Sequence, residues 1–343
     1  EYSYLEEESG IRFFNPVGCL QGPKKKMPGK DWNALNESAL KHQVSHEILG
    51  KGELQRRYPY FRFDDDNAIL ESETAGYINP RKLVQAQNEI ALGHGVKQIK
   101  ETALKMEKKS SRWNVLTDQG NLYIADIILL CTGAFTNALL KEPLPFTIFP
   151  RTVLLARVEE DQIERFNNMP CMIWDLDSGF DFSDMYLMPP ILYPDGKYYI
   201  KIGGDAPNSI TAPNLLELKK WFQTGGSQDH ANGLKEILLD LMPELEDSKF
   251  HHKPCVTTYT ETGYPFIDEF SSDNLYTACA GCGLSAKSSN ELGSIAARKV
   301  IGKNRASFNN PKLDSLNLFQ LPDSLKNLSE SHNIPKAINT TEA

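Results

Sequence analysis

Three groups of residues in this chain are of a type and spacing that could do chemistry. Cys255 stands in HHKPCVTTYTETGYPFID, close to a basic residue. A thiol beside a cation can ionise to a reactive thiolate, although a small residue packed in a strand is the commoner use of a single cysteine. Lys201 sits at the centre of KYYIKIGGD, a stretch with strand-like alternation. Alternation puts Ile200 and Ile202 on one face and Tyr199, Lys201 and Gly203 on the other. An ammonium there would occupy a defined surface, although most lysines are simply solvated. Cys279-Ala280-Gly281-Cys282 has the CxxC spacing of redox and zinc sites. A redox pair normally opens a helix, however, and here Gly283 and a non-helical stretch are expected to follow. The seven histidines are scattered, and His251-His252 are adjacent rather than spaced for a ligand set. These cysteines read as packing residues, with redox and metal roles as the lesser alternatives, and no metal site is expected.

Two further segments end an apolar strand in a glycine turn followed by a helix. One is IADIILLCTGAFTNALL at 124–140; the other is NLYTACAGCGLSAKSSNELGSIAARKVIG at 274–302. A missing side chain lets backbone approach a ligand closely, and cofactors in open α/β sheets sit at the carboxyl ends of strands. Glycine can equally well just tighten the turn. No complete GxGxxG follows any strand, so the usual dinucleotide fingerprint is missing.

The elements that must position these residues are legible in outline. Residues 11–20 read as a strand, a turn and a second short strand. Residues 21–30 form a Pro/Gly/Lys-rich loop, and 38–58 has helical spacing broken at Gly50 and Gly52. Asn79-Pro80 opens a periodic stretch that closes at Gly93 and Gly95: a good N-cap, a proline at the first helical position and a glycine exit. A short strand is expected at 96–99. Arg112 to Thr117 alternates, Asp118-Gln119-Gly120 turns, and 121–124 returns. The unbroken apolar run 127–131 predicts a strand buried on both faces, with a helix restarting at 134–140. The middle is strand-rich at 151–158 and 198–203, then helical over 214–241. The last unit predicts a strand at 275–278, a glycine-rich loop at 280–283 and a helix at 290–301. After Ala306 the composition predicts a loosely ordered tail.

The chain has 343 residues, enough for about two domains. Hydrophobic content is 40 % and net charge is -8, which disfavours a broad nucleic-acid footprint. No apolar run is long enough for a membrane span. Six cysteines in a chain of this length are too sparse for a disulfide framework, and no signal peptide is visible in the acidic first ten residues. An intracellular protein is expected, with cytoplasm and peroxisome both open. The ending Thr341-Glu342-Ala343 is not a peroxisomal SKL-type signal.

Taken together, four segments resemble the flavin-dependent amine oxidases of the monomeric sarcosine oxidase type, within the D-amino-acid-oxidase (DAO) superfamily. NAILESETAGYINPRKLVQAQ is similar to that family's entry into a flavin-domain helix. ADIILLCTGAFTNALL is similar to its strand, x-x-G-A-W/F and helix element beside the cofactor. CVTTYTETGYPFID is similar to the stretch that begins with the flavin-bearing cysteine. NLYTACAGCGLSAKSS is similar to the closing strand and loop. The resemblance implies an α/β, mixed α+β fold: an incomplete Rossmann-like FAD domain (79–142 and 251–308) and a substrate domain on a mixed sheet (1–78 and 143–250), with 309–343 as a tail.

Carried over by position, the resemblance implies that Cys255 forms a thioether to the 8α carbon of FAD. It implies that Lys201 lies over the flavin face and activates oxygen, and that Lys287 pairs with the substrate carboxylate. Tyr186 and Asp205 would line the substrate cavity, while Gly133, Thr132, Gly281, Gly283 and Leu104 would lie at the cofactor. The reaction implied is oxidation of an amine or amino acid, with hydride leaving the carbon next to nitrogen and O2 reduced to H2O2 by a monomer. Two departures matter. Asp205 and Leu284 stand where sarcosine oxidases have histidines, so sarcosine is not carried over as substrate. The family's front, with its GxGxxG and a substrate-binding arginine, has no counterpart here, which implies an incomplete chain. A dehydrogenase with another electron acceptor, and a non-catalytic remnant with a binding role, remain as alternatives.

Overall fold

The computed structural model describes residues 1–22, 32–63, 67–175, 182, 184–205, 211–212, 214–270, 274–302 and 319–326. Most of the 21–30 loop and most of the tail lie outside these residues. The chain divides into two compact units. The first comprises Glu1–Val96, Pro150–Thr211 and Leu216–Val256; the second comprises Lys97–Phe149, Ala212–Leu215 and Thr257–Ala343.

In the first unit, helix α1 (Tyr2–Ser9) buries Leu5 against Phe13 and against Leu83 and Ala86 of helix α4 (Pro80–Gly93). The Asn79 side chain accepts hydrogen bonds from the Arg81 and Lys82 backbone N–H groups at 3.2 and 3.3 Å, and Pro80 takes the first turn, as the sequence predicts. Strands β1 (Phe14–Asn15) and β5 (Tyr77–Ile78) pair antiparallel beside them.

The large sheet has eight strands. Their spatial order is β14 (Phe250–Thr260), β10 (Phe146–Val158), β13 (Tyr198–Gly204), β12 (Asp184–Leu192), β11 (Cys171–Asp175), β2 (Cys19–Gly22), β4 (Asn67–Glu71) and β3 (Glu47–Gly50). The pair β11–β2 is parallel, while β10–β13, β13–β12, β12–β11, β2–β4 and β4–β3 are antiparallel, so the sheet is mixed. Helices α2 (Trp32–Lys41), α3 (Lys51–Arg57), α5 (Leu215–Thr224) and α6 (Gln228–Leu241) complete the unit. One sheet face makes the main core. Leu154 and Ala156 of β10, Ile200 and Ile202 of β13 and Met185 and Leu187 of β12 meet the buried stripe of α6 at Leu234, Ile237 and Leu238. The alternation expected around Lys201 is therefore present, with the two isoleucines fully buried.

The second unit contains the meander β6 (Ala103–Lys109), β7 (Arg112–Thr117) and β8 (Leu122–Ala125). It also contains a three-stranded sheet in which β16 (Leu275–Cys279) pairs antiparallel with β15 (Phe266–Phe270) and parallel with β9 (Ile128–Leu130). Helix α7 (Ser285–Val300) follows β16.

Four local expectations need correction. No strand forms at 96–99. The Val96 N–H closes back onto the Ala91 carbonyl at 3.1 Å with Gly95 at φ +85°, a Schellman-type helix exit that leaves the following residues exposed. The apolar run 127–131 is not buried on both faces: Ile127 is 44 % and Leu129 36 % exposed, and among the described residues β9 is an edge strand paired with β16 alone. The helix after it is a short 3-10 helix, Gly133–Ala138. Helix α7 begins at Ser285 rather than near 290. Ser285 to Ser289 carries no apolar period to announce a helix, yet the Leu284 and Ser285 N–H groups both turn back onto the Gly281 carbonyl at 3.1 Å.

Residues 319–326 are tied down within the second unit. Leu321 is buried, its N–H donates to Asp268 Oδ2 at 3.0 Å, and the Phe319 carbonyl accepts from Ile267 at 2.8 Å. Asp268 is itself buried and carries Lys299 Nζ at 2.8 Å and Lys326 Nζ at 3.6 Å. One carboxylate thus joins β15, α7 and the helical turn Asp323–Lys326. Asp268→Asn should lower unfolding stability by about 2 kcal/mol, below the range for a fully buried pair because both lysines keep solvent contact. It should also raise hydrogen exchange across 319–326. Unchanged exchange there would show that the staple does not hold the segment.

Candidate active site

The face of β13 opposite the core carries Tyr199, Lys201 and Gly203, and the antiparallel register sets Tyr186 of β12 opposite Gly203. Cross-strand partners project to one side, so the Tyr186 ring lies over the Gly203 backbone. A Cβ at Gly203 would come within 2.5 Å of Tyr186 Cζ. Glycine at 203 is therefore the space the tyrosine occupies. The Lys201 ammonium lies 5.2 Å from the centre of the same ring, a cation–π distance. Lys201 is half-buried, and among the described residues it has no ion pair.

Cys255 of β14 is half-buried within electrostatic reach of Lys201. Its carbonyl accepts a 2.9 Å hydrogen bond from Trp221 Nε1 of α5, which fixes the strand at this point. Burial pushes the Cys255 thiol pKa up. The Lys201 ammonium and the Arg151 guanidinium pull it down, and Asp205 raises it again. Burial lowers the pKa of Lys201, the Cys255 thiolate raises it, and the positive charge of Arg81 lowers it. Burial is also the main reason the Tyr186 hydroxyl is pushed far above its ordinary value, with Cys255, Tyr193 and Asp205 adding to it. Asp205 is exposed and takes Arg151 Nη2 at 3.0 Å, whereas the Arg151 side chain is only 11 % exposed. The structure thus brings Cys255, Lys201, Tyr186 and Asp205 together within the first unit.

The remaining candidates lie in the second unit. Gly133 has φ +55° and open space where a Cβ would point, and Thr132 precedes it with its hydroxyl donating to Thr136 Oγ1 at 3.1 Å. Gly281 and Gly283 are close-packed against the chain itself. A Cβ at 281 would meet Ser285 Oγ at 2.8 Å, and one at 283 would meet the Tyr259 hydroxyl at 2.7 Å. Lys287 is exposed in the first turn of α7, and Leu104 is 57 % exposed on β6. Cys279 and Cys282 are free and buried. Thr277 Oγ1 donates to Cys279 Sγ at 3.3 Å, Cys282 Sγ donates to the Ala280 carbonyl at 3.2 Å, and burial raises the Cys279 pKa. A helix does follow this CxxC closely, so the packing reading rests on burial instead of on a non-helical sequel. Among the described residues no cluster of histidine, cysteine and carboxylates could hold a metal ion.

Arg151, Trp221 and Tyr193 were not singled out in the sequence. Arg151 shares the parity of Leu155, the cross-strand partner of Lys201, so the alternation of RTVLLARV holds a signal for it. Trp221 and Tyr193 reach the site through tertiary packing and carry no such signal.

The sequence pattern of the FAD dependent oxidoreductase (DAO) family matches residues 1–299, and the chain belongs to that family. It is similar to monomeric sarcosine oxidase from Streptomyces avermitilis, 29 % identical over 167 residues, covering 46 % of this chain and 41 % of that protein. It is also similar to L-saccharopine oxidase from Schizosaccharomyces pombe, 22 % identical over 303 residues, covering 78 % of this chain and 65 % of that protein. The chain therefore spans less than two thirds of the length of these relatives. Among solved structures it shares its fold with NikD, an unusual amino acid oxidase essential for nikkomycin biosynthesis, at TM-score 0.73 and 18 % identity over 97 % of this chain and 82 % of that one. It also shares it with Amadoriase I from Aspergillus fumigatus, at TM-score 0.65 and 16 % identity over 89 % and 71 %. The mixed α/β architecture is that of these flavoenzymes. Among the described residues, no helix is long and apolar enough to cross a membrane.

The residues on the face of β13 away from the core fit a flavin. A half-buried ammonium without a carboxylate beside it suits an electron-accepting ring that gains negative charge on reduction, and the nearby thiol is a group that could bond to it. The electrostatic coupling of the two groups is measurable without cofactor. In flavin-free protein, Lys201→Met should raise the pH midpoint for iodoacetamide alkylation of Cys255, because the cation that favours the thiolate is gone. An unmoved midpoint would place the two side chains out of contact.

Proposed function

We propose that this chain carries the catalytic residues of an FAD-dependent oxidase of amines or amino acids. FAD, when bound, accepts hydride from the carbon next to nitrogen and returns two electrons to O2 as H2O2. The observation that carries the reading is the Lys201 ammonium, half-buried on the sheet face away from the core, near Cys255 and over Tyr186. A fixed cation in a partly dehydrated place stabilises negative charge as it develops on oxygen. The relatives' names, a sarcosine oxidase, a saccharopine oxidase and an amino acid oxidase, support an amine or amino-acid substrate.

Each residue then has a role. Cys255 would hold the isoalloxazine through its sulfur, as a thioether at the 8α carbon. Lys201 favours the reaction with oxygen. Tyr186 and Asp205 shape the substrate side, with Tyr186 kept protonated and Asp205 held by Arg151. Lys287 orients the substrate carboxylate from the first turn of α7. Gly133 and Thr132 offer open backbone to the cofactor, with Gly281, Gly283 and Leu104 near it. The substrate-facing part comprises 1–78 and 143–250, the cofactor-holding part 79–142 and 251–308, and the protein acts as a monomer.

Two measurements test this on flavin-loaded full-length protein. After denaturation, flavin fluorescence should stay with the polypeptide and should be lost from it in Cys255→Ala. Flavin that washes out of the unaltered protein would remove the thioether. In stopped flow, Lys201→Met should slow reoxidation by O2 by about a hundredfold or more while slowing flavin reduction far less. Equal slowing of both half-reactions would remove the oxygen role from Lys201.

A further inference from the structure

A second group of cations sits in the same unit and plays no part in the chemistry above. Tyr193, at the end of the β12–β13 hairpin, has the Arg81 guanidinium carbon 5.1 Å and Lys253 Nζ 5.7 Å from its ring centre. The ring is braced edge-on by Tyr199 at 5.2 Å. Two exposed cations thus lie over one half-buried aromatic ring. Among the described residues neither has an ion pair. The nearby carboxylates are committed elsewhere: Asp195 to the Tyr199 hydroxyl at 2.8 Å and Asp205 to Arg151 at 3.0 Å.

Local structure does not call for these cations. Arg81 stands in the first turn of α4, which contains no acidic residue, where a positive charge opposes the helix dipole. The group is continuous with the site: Tyr193 packs on Tyr199, two positions from Lys201 on the same face of β13, and Lys253 stands two positions from Cys255 on β14. Both cations carry a charge that an anion on this surface could pair with. The planar fork of a guanidinium matches a carboxylate in particular.

We propose that Arg81 and Lys253, gathered on Tyr193, form a subsite for a second carboxylate. The preferred substrate is then an amine with two carboxylates, one at the reacting carbon and one remote. This rests on the amine-oxidase reading for its chemistry, but the subsite can be tested apart from it.

The probes are N-methylglutamate and its neutral isostere N-methylglutamine, assayed for kcat/KM with flavin-loaded full-length protein. The remote carboxylate should give N-methylglutamate at least a tenfold advantage, equal to one good charge-assisted contact. That ratio should drop about fivefold or more in Arg81→Gln and in Lys253→Gln, and it should shrink with added salt. Glutarate binding, followed by calorimetry on the same proteins, should weaken in parallel. A ratio near one in the unaltered protein, or a ratio that neither substitution moves, overturns the subsite. If neither amine is oxidised, the amine-oxidase reading falls, and glutarate decides the subsite alone. Binding weakened by both substitutions upholds it; binding that is absent, or indifferent to them, overturns it.

Discussion

The structure of the first unit depends on the alternation of one strand. Ile200 and Ile202 are fully buried against α6, so Lys201 and Gly203 must face the other way. A slip of one residue would bury an ammonium in the core and expose two isoleucines, which is prohibitively unfavourable. The position of the cation is therefore fixed by apolar packing on the reverse side of the sheet, not by any partner of its own. This is a rigid way to hold a charge, because side chains on a central strand move little relative to their neighbours.

The same strand sets the shape around that charge. Gly203 leaves the gap into which the Tyr186 ring folds across from β12, and the ring in turn covers part of Lys201. On the other flank, the Cys255 carbonyl is bound by Trp221, so the thiol is carried on a strand whose backbone is pinned. Strands β12 and β13, strand β14 on the far side of β10, and helix α5 thus converge on this area. The burial that lowers the Lys201 pKa and raises those of Cys255 and Tyr186 has one common origin, the partial dehydration of this surface.

Much of this was legible in the residues. KYYIKIGGD alternates because its two faces meet different surroundings, and the face assignment follows directly. Asn79-Pro80 marked the start of α4 because capping is local chemistry. The failures have a shared cause, which is that pairing and local closure are not written in composition. Ile127 to Cys131 looks like a strand buried on both sides, but its burial depends on whether a neighbour lies along its free edge. Val96 to Ile99 has β-forming residues, yet the helix exit at Gly95 takes the backbone hydrogen bond that a strand would need. Cys255, Lys201, Tyr186 and Asp205 came together as a set through resemblance. Arg151, Trp221 and Tyr193 come from distant parts of the chain, and only tertiary structure shows what they touch.

Asp205 stands where the resemblance leads one to expect an imidazole, and its carboxylate is taken up by Arg151. Arg151 is the more deeply buried partner and cannot easily turn to solvent, so it holds the exposed carboxylate to itself. A guanidinium also binds carboxylate in a directed way, whereas an ammonium is a point charge. Asp205 therefore balances Arg151, and the charge of Lys201 is left for whatever molecule occupies the face of β13 away from the core. The carboxylate at 205 thus comes with its own counter-charge in the chain.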